Sequence, residues 1–326
     1  MSIRVCMKKS GRREIRGKKT HPNPSLKEKD TLYLKFVAKK IKFVIMSSRR
    51  NFIRNTTLGF TAVTVAPLLN KGESLHFGGP TSSKDLSVGI AGYTFLNFDI
   101  PQSIQMMQRV DVHFMSIKDF HLPLNSGKEK IDEVVKQFKE GGINIYAVGV
   151  IYMKTKDEVD QAFEYAKNVG VSIIVGVPEH NLIDYVEQKV KSYQIKLAIH
   201  NHGPEDKLYP SPEIAFNLIK NKNAMMGLCL DIGHAQRAGV DPAKAVLKYS
   251  KRIFDLHIKD VTKAEQDGEA IEVGRGIINF PGFVKSLRKI RYPGHCSIEF
   301  EKDMKDPLPG IAESVGYFKG IKDGIV

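Results

Sequence analysis

Cysteine is scarce in this chain of 326 residues, and three copies cannot form a disulfide framework. Cys6 lies near the N-terminus, whereas Cys229 and Cys296 lie inside apolar runs that are typical of buried strands, so we interpret these two as core residues. The apolar run at residues 58–69 is too short and too rich in threonine to span a membrane permanently. No Gly-x-Gly-x-x-Gly motif follows the first predicted strand, so the sequence lacks the main signal that would favour an open sheet with a nucleotide site.

Net charge is also missing from most of the chain, although the sequence pI is about 9.5. Residues 1–45 contain 14 Lys and Arg but only 3 Asp and Glu, and residues 46–85 contain 5 and 2. Residues 86–326 contain 31 of each sign and are formally neutral. The basic character therefore belongs to the N-terminus, and the neutral remainder argues against a broad nucleic-acid surface.

Residues 46–82 look like a twin-arginine signal peptide followed by a linker. Arg49 and Arg50 precede Phe52, Ile53 and a short apolar stretch, a pattern that predicts export to the periplasm with the twin-arginine machinery as a partner. Because Met46 would start this signal, we interpret residues 1–45 as an over-extended or disordered basic N-terminus. The alternative is a disordered tail with a chance arginine pair. No small-x-small cleavage motif is visible, and we expect the cut within residues 66–82.

Predicted strands and helices alternate through residues 83–326. The strands are expected at 86–95, 112–117, 143–152, 172–177, 195–202, 228–234, 252–260 and 295–301. Between them, apolar residues recur at helical spacing, as at Ile131, Val134, Val135 and Phe138. Eight strand-helix units in about 240 residues predict a single (β/α)8 TIM barrel. A doubly wound open sheet is the alternative.

Acidic residues and histidines end four consecutive predicted strands. They are His200, His202, Asp231, His234, His257, Glu299 and Glu301. Because the C-terminal ends of barrel strands form the rim where active sites lie, we expect these side chains to converge. Oxygen and imidazole ligands suit a divalent ion such as Mn, Zn, Fe or Co. A plainer interpretation of the Asp231 stretch is that this residue caps the next helix and that His234 lies on the surface.

Four stretches, at residues 231–234, 256–260, 273–280 and 292–299, resemble the xylose isomerase-like TIM barrel family. The resemblance extends over residues 87–320. This family includes sugar epimerases and isomerases, inosose dehydratases and type IV endonucleases, and its members hold one divalent ion at the ends of strands five to eight. The resemblance therefore implies that Asp231, His257 and Glu299 are metal ligands.

The fourth ligand position departs from the family pattern. Where the family usually has a glutamate, this chain has His200, within His-Asn-His at residues 200–202. Either His200 replaces the glutamate, or Glu179 or Glu205 supplies the ligand. We favour His200, because two carboxylates and two imidazoles leave the site neutral around a divalent ion.

An ion that binds adjacent carbonyl and hydroxyl oxygens acidifies the carbon-bound proton between them, and a nearby base then removes it. We therefore predict a metal-dependent sugar isomerase or epimerase that works through an enediolate. Export favours a non-phosphorylated sugar or keto-sugar as the substrate. Loss of a β-substituent would instead make the protein a lyase or hydratase on 3-keto-sugars or inososes.

Six residues at predicted strand ends are candidates for catalysis or substrate binding. Those expected to be catalytic are Glu179, His202, His234 and Lys259, and those expected to bind substrate are Lys118 and His121. The plainer alternative places the lysines in solvent and His121 in loop packing.

Two other functions compete with a sugar enzyme. The first is a non-catalytic sugar-binding barrel, which the departure at His200 motivates. The second is a type IV endonuclease with three zinc ions, which the neutral barrel and the export signal disfavour. We expect a small carbohydrate as the partner, no nucleic acid and no stable membrane insertion, with a homo-oligomer left open.

Overall fold

The computed structural model describes residues 85–325, and the segments assigned above to residues 1–45 and 46–82 lie outside the described residues. Its strands are Ser87–Ala91 (β1), Phe114–Ile117 (β2), Asn144–Met153 (β3), Ile173–Pro178 (β4), Lys196–His200 (β5), Met226–Asp231 (β6), Ile253–Ile258 (β7), Asp260–Val261 (β8), Ala270–Ile271 (β9) and His295–Ile298 (β10). Eight of them close into a barrel in the order β1-β2-β3-β4-β5-β6-β7-β10. Neighbouring barrel strands pair in parallel. The predicted TIM barrel is confirmed, and the open-sheet alternative is wrong.

Helices cover the outside of the barrel between successive strands. They are Ile100–Arg109 (α1), Lys128–Glu140 (α2), Lys156–Val169 (α3), Ile183–Tyr193 (α4), Pro212–Ile219 (α5), Ile232–Arg237 (α6), Pro242–Lys248 (α7), Phe280–Ile290 (α8) and Leu308–Gly324 (α9). α2 contains the apolar residues that predicted a helix and buries Ile131, Val134 and Phe138. None of the helices in the described residues is long and apolar enough to cross a membrane.

Short local signals set the helix ends. Asp99 caps α1 by accepting a hydrogen bond from the Gln102 backbone N–H at 2.8 Å, and Thr155 caps α3 in the same way. Gly170 ends α3 in a left-handed conformation, with φ of 84°. Such a backbone favours glycine because it has no Cβ to clash.

The structure contains two elements outside the predicted alternation of strands and helices, and the first agrees with the plainer interpretation that Asp231 caps a helix. α6 is only six residues long, and the Asp231 carboxylate caps it by accepting the His234 backbone N–H at 2.7 Å. The second element is the antiparallel hairpin of β8 and β9. Both are too short to show a hydrophobic period, so the predicted strand simply continued to residue 234.

Asp260 organises the chain after β7. Its buried carboxylate accepts backbone N–H groups of Val261, Gly274 and Gly276 at 2.9 Å, and that of Ile278 at 3.2 Å. Four oriented N–H groups make a nest for an anion, and here a side chain of the protein itself fills it. The glycine-rich segment 273–278 is therefore a structural loop that folds around Asp260.

Candidate active site

Four strand ends bring four predicted ligands together at the C-terminal mouth of the barrel. His200 ends β5, Asp231 ends β6, His257 lies in β7 and Glu299 follows β10. The strand register places Asp231 directly beside His257, and the Glu299 N–H donates to the Ile258 carbonyl at 3.0 Å. All four side chains are buried, and one ligand atom from each lies within 4.8 Å of the others.

The distances among these atoms fit a common ion. Nε2 of His200 lies 3.0 Å from Nδ1 of His257 and 3.7 Å from Oδ2 of Asp231. Nδ1 of His257 lies 3.1 Å from Oε2 of Glu299. Nitrogen and oxygen ligands at about 2.0–2.2 Å from one ion lie roughly 3–3.5 Å apart. Oδ2 of Asp231 is buried and accepts no hydrogen bond from the described residues, so the residues present fit a divalent ion.

Lys259 lies beside this cluster. Its ammonium is 2.9 Å from Oε2 of Glu301, 3.2 Å from Oε2 of Glu299 and 3.3 Å from Oδ2 of Asp231. Burial opposes its charge, but these carboxylates outweigh burial and raise the pKa of Lys259 well above its ordinary value. Burial likewise opposes the charge on Glu299, yet His257 and Lys259 lower the pKa of its carboxyl. Lys259 is therefore an ammonium and Glu299 a carboxylate at neutral pH.

A cavity of about 420 Å³ opens beside these residues. Its polar lining consists of Lys118, His200, His202, His234, Glu299 and Glu301, and its apolar lining of Tyr93, Leu96, Val150, Tyr152 and Met304. Three residues predicted for catalysis or substrate contact, His202, His234 and Lys118, thus face the same space.

Burial keeps the two cavity histidines uncharged. It lowers the pKa of His202 to about 4 and that of His234 to about 3. His202 also holds Tyr152, whose hydroxyl lies 3.0 Å from Nε2 of the imidazole. Neutral imidazoles in a half-open cavity can both donate and accept hydrogen bonds, which suits the recognition of sugar hydroxyls.

Three other candidates lie away from the cluster. Glu179 follows β4, where its backbone N–H donates to the Met153 carbonyl at 2.9 Å, and it does not line the cavity. His121 is buried, with Nε2 3.2 Å from Oγ of Ser103. Glu205 forms an ion pair with Arg237 at 2.7 Å. Of the three proposed fourth ligands, His200 is the one that joins the buried cluster.

Sequence reasoning missed several cavity residues. It assigned no role in the site to Tyr152, Tyr93 or Met304, because an aromatic or apolar residue in a barrel sequence is usually core. Glu301 was among the strand-end residues expected to converge, but it was given no role in the site. It lies two residues beyond Glu299 on the same face of the chain, where strand alternation repeats the direction of the side chain.

The xylose isomerase-like TIM barrel family model matches residues 104–321. An uncharacterized protein of Methanocaldococcus jannaschii is 28% identical over 169 residues, which cover 47% of this chain and 57% of that protein. The chain thus spans less than two thirds of the length of this curated relative.

Solved structures of the same fold include an uncharacterized protein from Parabacteroides distasonis. It is 30% identical, has a TM-score of 0.58, and is matched over 98% of its length by 72% of this chain. The IolI protein with a bound zinc atom is 17% identical, has a TM-score of 0.64, and is matched over 99% of its length by 74% of this chain. At that identity the second likeness shows the fold alone.

Proposed function

The chain belongs to the xylose isomerase-like TIM barrel family, and from that premise we propose that it is a divalent-metal-dependent sugar isomerase or epimerase. The substrate is a non-phosphorylated sugar or keto-sugar, and the reaction passes through an enediolate. One observation carries the proposal. The buried cluster of His200, Asp231, His257 and Glu299, in which Oδ2 of Asp231 accepts no hydrogen bond from the described residues, lies beside an open polar cavity.

These four residues would hold the ion, which we propose to be Mn, Zn, Co or Fe. When bound, the ion supplies Lewis acidity that makes a proton next to a carbonyl group easier to remove. The zinc in the IolI structure supports this choice of ion class.

The proton acceptors would be Glu301 and His202. Both line the cavity, and they come from opposite sides of the ligand cluster, after β10 and β5. Two acceptors on different sides allow a proton to leave one face of the substrate and return to another position. Return to the opposite face gives an epimer, and return to the neighbouring carbon gives an isomer.

The cavity supports a substrate without phosphate. Among the described residues, Lys118 is the lysine that lines the cavity. Its ammonium lies 2.5 Å from the Asp119 carboxylate. Lys259 is shared among three carboxylates. The backbone nest at 273–278, which would otherwise attract an anion, is filled by Asp260. A phosphate group would therefore have to displace existing ion pairs.

Metal content and deuterium exchange test the proposal. The purified full chain is loaded with Mn, Zn, Co or Fe, and is incubated in heavy water with aldoses, ketoses, inososes and 3-keto-glycosides. We expect about one ion per chain and metal-dependent deuterium incorporation at a carbon next to the carbonyl. An eliminated or hydrated product would favour the lyase or hydratase alternative. A chain that binds sugar but neither metal nor deuterium would be a sugar-binding barrel.

We further propose that the protein acts in the periplasm. The support is the arginine pair at residues 49–50, which lies outside the described residues. Replacing Arg49 and Arg50 by lysine retains the charge and should keep the protein in the cytoplasm. Unchanged delivery to the periplasm would rule out the twin-arginine route.

A further inference from the structure

Arg237 contacts His234 one turn along α6. Nη1 of the guanidinium lies 3.1 Å from Nδ1 of the imidazole. A guanidinium has N–H donors and no acceptor, so Nδ1 must accept this hydrogen bond. A neutral imidazole carries one N–H, and that hydrogen must then be on Nε2. The arginine thereby selects one of the two neutral tautomers of His234.

The Nε2–H group of His234 faces the cavity and a second donor. Nε2 lies 3.3 Å from the Lys259 ammonium and 3.9 Å from Oδ2 of Asp231. An ammonium also lacks an acceptor, so Lys259 cannot accept the hydrogen bond from Nε2–H. The three N–H groups of the Lys259 ammonium already face three carboxylate oxygens, so the donor available to an oxygen atom in the cavity is Nε2–H of His234.

Arg237 is held in place from several sides. Its Nη2 lies 2.7 Å from Oε1 of Glu205, and its Nε donates to the carbonyl oxygen of Gln266 at 3.2 Å. Gly203 makes room for this arrangement. It has a φ of 99°, and a Cβ there would lie 3.3 Å from Nη1 of Arg237 and 3.4 Å from Nδ1 of His234.

We propose that Arg237 is a positioning residue that fixes His234 as the Nε2–H tautomer. In this form, His234 donates a hydrogen bond from Nε2–H to one substrate oxygen, next to the positive charge of Lys259. As the C–H bond breaks, its electron pair forms the carbon–carbon double bond of the enediolate, the π electron pair of the carbonyl group moves onto that oxygen, and the proton passes to Glu301 or His202. The role of the oxygen rests on the proposed function, whereas the tautomer of His234 does not.

Nitrogen NMR of the histidines tests the tautomer directly. The zinc-loaded full chain is labelled with ¹⁵N-histidine, and the His234 signals are assigned by their loss in His234→Gln. We expect the Nε2–H tautomer in the wild type and a mixture or the Nδ1–H tautomer in Arg237→Met. Arg237→Lys, which keeps a donor, should restore Nε2–H in part. Glu205→Gln is the matched control, because it removes the ion pair but leaves the guanidinium to donate to Nδ1.

Kinetics test what the tautomer does. Arg237→Met should lower kcat by about 10–100-fold with a much smaller change in KM, because the donated hydrogen bond strengthens as charge develops on the oxygen. A wild-type His234 in the Nδ1–H form would overturn the proposal, whether or not Arg237→Met folds. An unchanged tautomer in folded Arg237→Met would also overturn it. Failure of deuterium exchange in a protein with the Nε2–H tautomer would instead overturn the proposed function and the role of the substrate oxygen.

Discussion

The barrel interior contains two polar clusters, one at its mouth and one a layer deeper. The deeper cluster is Tyr146, Asp255 and Ser297. The Tyr146 hydroxyl lies 3.0 Å from both carboxylate oxygens of Asp255 and 2.6 Å from Oγ of Ser297. The Leu256 N–H also donates to the Asp255 carboxylate, at 2.9 Å. This cluster satisfies its own hydrogen bonds.

The cluster at the mouth does not. Among the described residues, buried atoms without a hydrogen-bond partner include Oδ2 of Asp231, Nε2 of His257 and Nδ1 of both His200 and His202, and none belongs to the deeper cluster. An unsatisfied buried polar atom costs about 1–3 kcal/mol. Polar residues inside a barrel therefore do not by themselves indicate a site. Polar residues whose ligand atoms converge beside a cavity, and which do not satisfy one another's hydrogen bonds, do indicate one.

Removing a metal ligand should have the largest effect, because it removes the property that distinguishes the cluster at the barrel mouth from the deeper cluster. We expect Asp231→Ala, His257→Ala, Glu299→Ala and His200→Ala each to lower metal affinity by more than the roughly 10–100-fold typical of outer-shell partners, and to abolish deuterium exchange. Metal analysis after dialysis and exchange in heavy water measure both effects.

Glu301→Ala and His202→Ala serve as the matched controls for those variants. Each side chain lines the same cavity but lies outside the ligand cluster, so both proteins should retain the ion while losing activity. A His200→Ala protein with full metal content, together with a metal-free Glu179→Gln protein, would contradict the ligand assignment.

Replacing His121 should have the next largest effect, which is on the pH dependence of folding stability. It tests whether a buried histidine outside the ligand cluster contributes to stability. Burial lowers the pKa of His121 to about 4, from an ordinary value of 6.5. The unfolded chain therefore binds the proton more tightly, and folding stability is complete above pH 6.5 and falls as the pH drops to 4. A shift of this size corresponds to about 3 kcal/mol.

His121→Gln should remove that part of the acid sensitivity, because glutamine can hydrogen-bond to Ser103 without titrating. Urea unfolding of both proteins at pH 7.5 and 4.5, in the same metal state, measures how much folding stability each protein loses between the two pH values. Equal losses of stability in the two proteins would show that His121 does not titrate as a buried group.

Tyr146→Phe tests the deeper cluster and should have a smaller effect. The change removes the hydroxyl that binds Asp255 and Ser297, so we expect the free energy of unfolding to fall by about 1–3 kcal/mol. Metal content should stay at the wild-type level, since Tyr146 is not among the ligands. Loss of the ion in a folded Tyr146→Phe protein would mean that the two clusters are coupled.

The alternation of strands and helices was sufficient to predict the barrel, and strand ends were sufficient to predict which residues meet at its mouth. Asp255, His257 and Lys259 are spaced by two along one chain segment, as are Ser297, Glu299 and Glu301. That spacing predicts a shared inward direction. The spacing does not predict how deep in the barrel each side chain lies. The sequence therefore could not separate the deeper cluster, which satisfies its own hydrogen bonds, from the cluster at the mouth.

Loop residues were harder to predict for a related reason. Arg237 reaches His234 only because α6 begins directly after Asp231, and Glu205 reaches Arg237 through a loop with Gly203 in a left-handed conformation. Neither the start of this short helix nor the conformation of this loop produces a periodic pattern in the sequence. Glu179 and His121 follow strand ends as the other candidates do, but the turns after β4 and β2 place them away from the cavity.

Removing residues 1–82 should have the smallest effect of all. Both clusters and all the barrel strands lie within residues 85–325, and the segment to be removed carries all of the formal net charge of the chain. We therefore expect the shortened chain to fold with the same urea midpoint and to bind about one ion. The full chain, measured in the same buffer, is the control. An insoluble or metal-free product would show that residues before the barrel contribute to its stability, and the comparison between the two clusters would then have to include them.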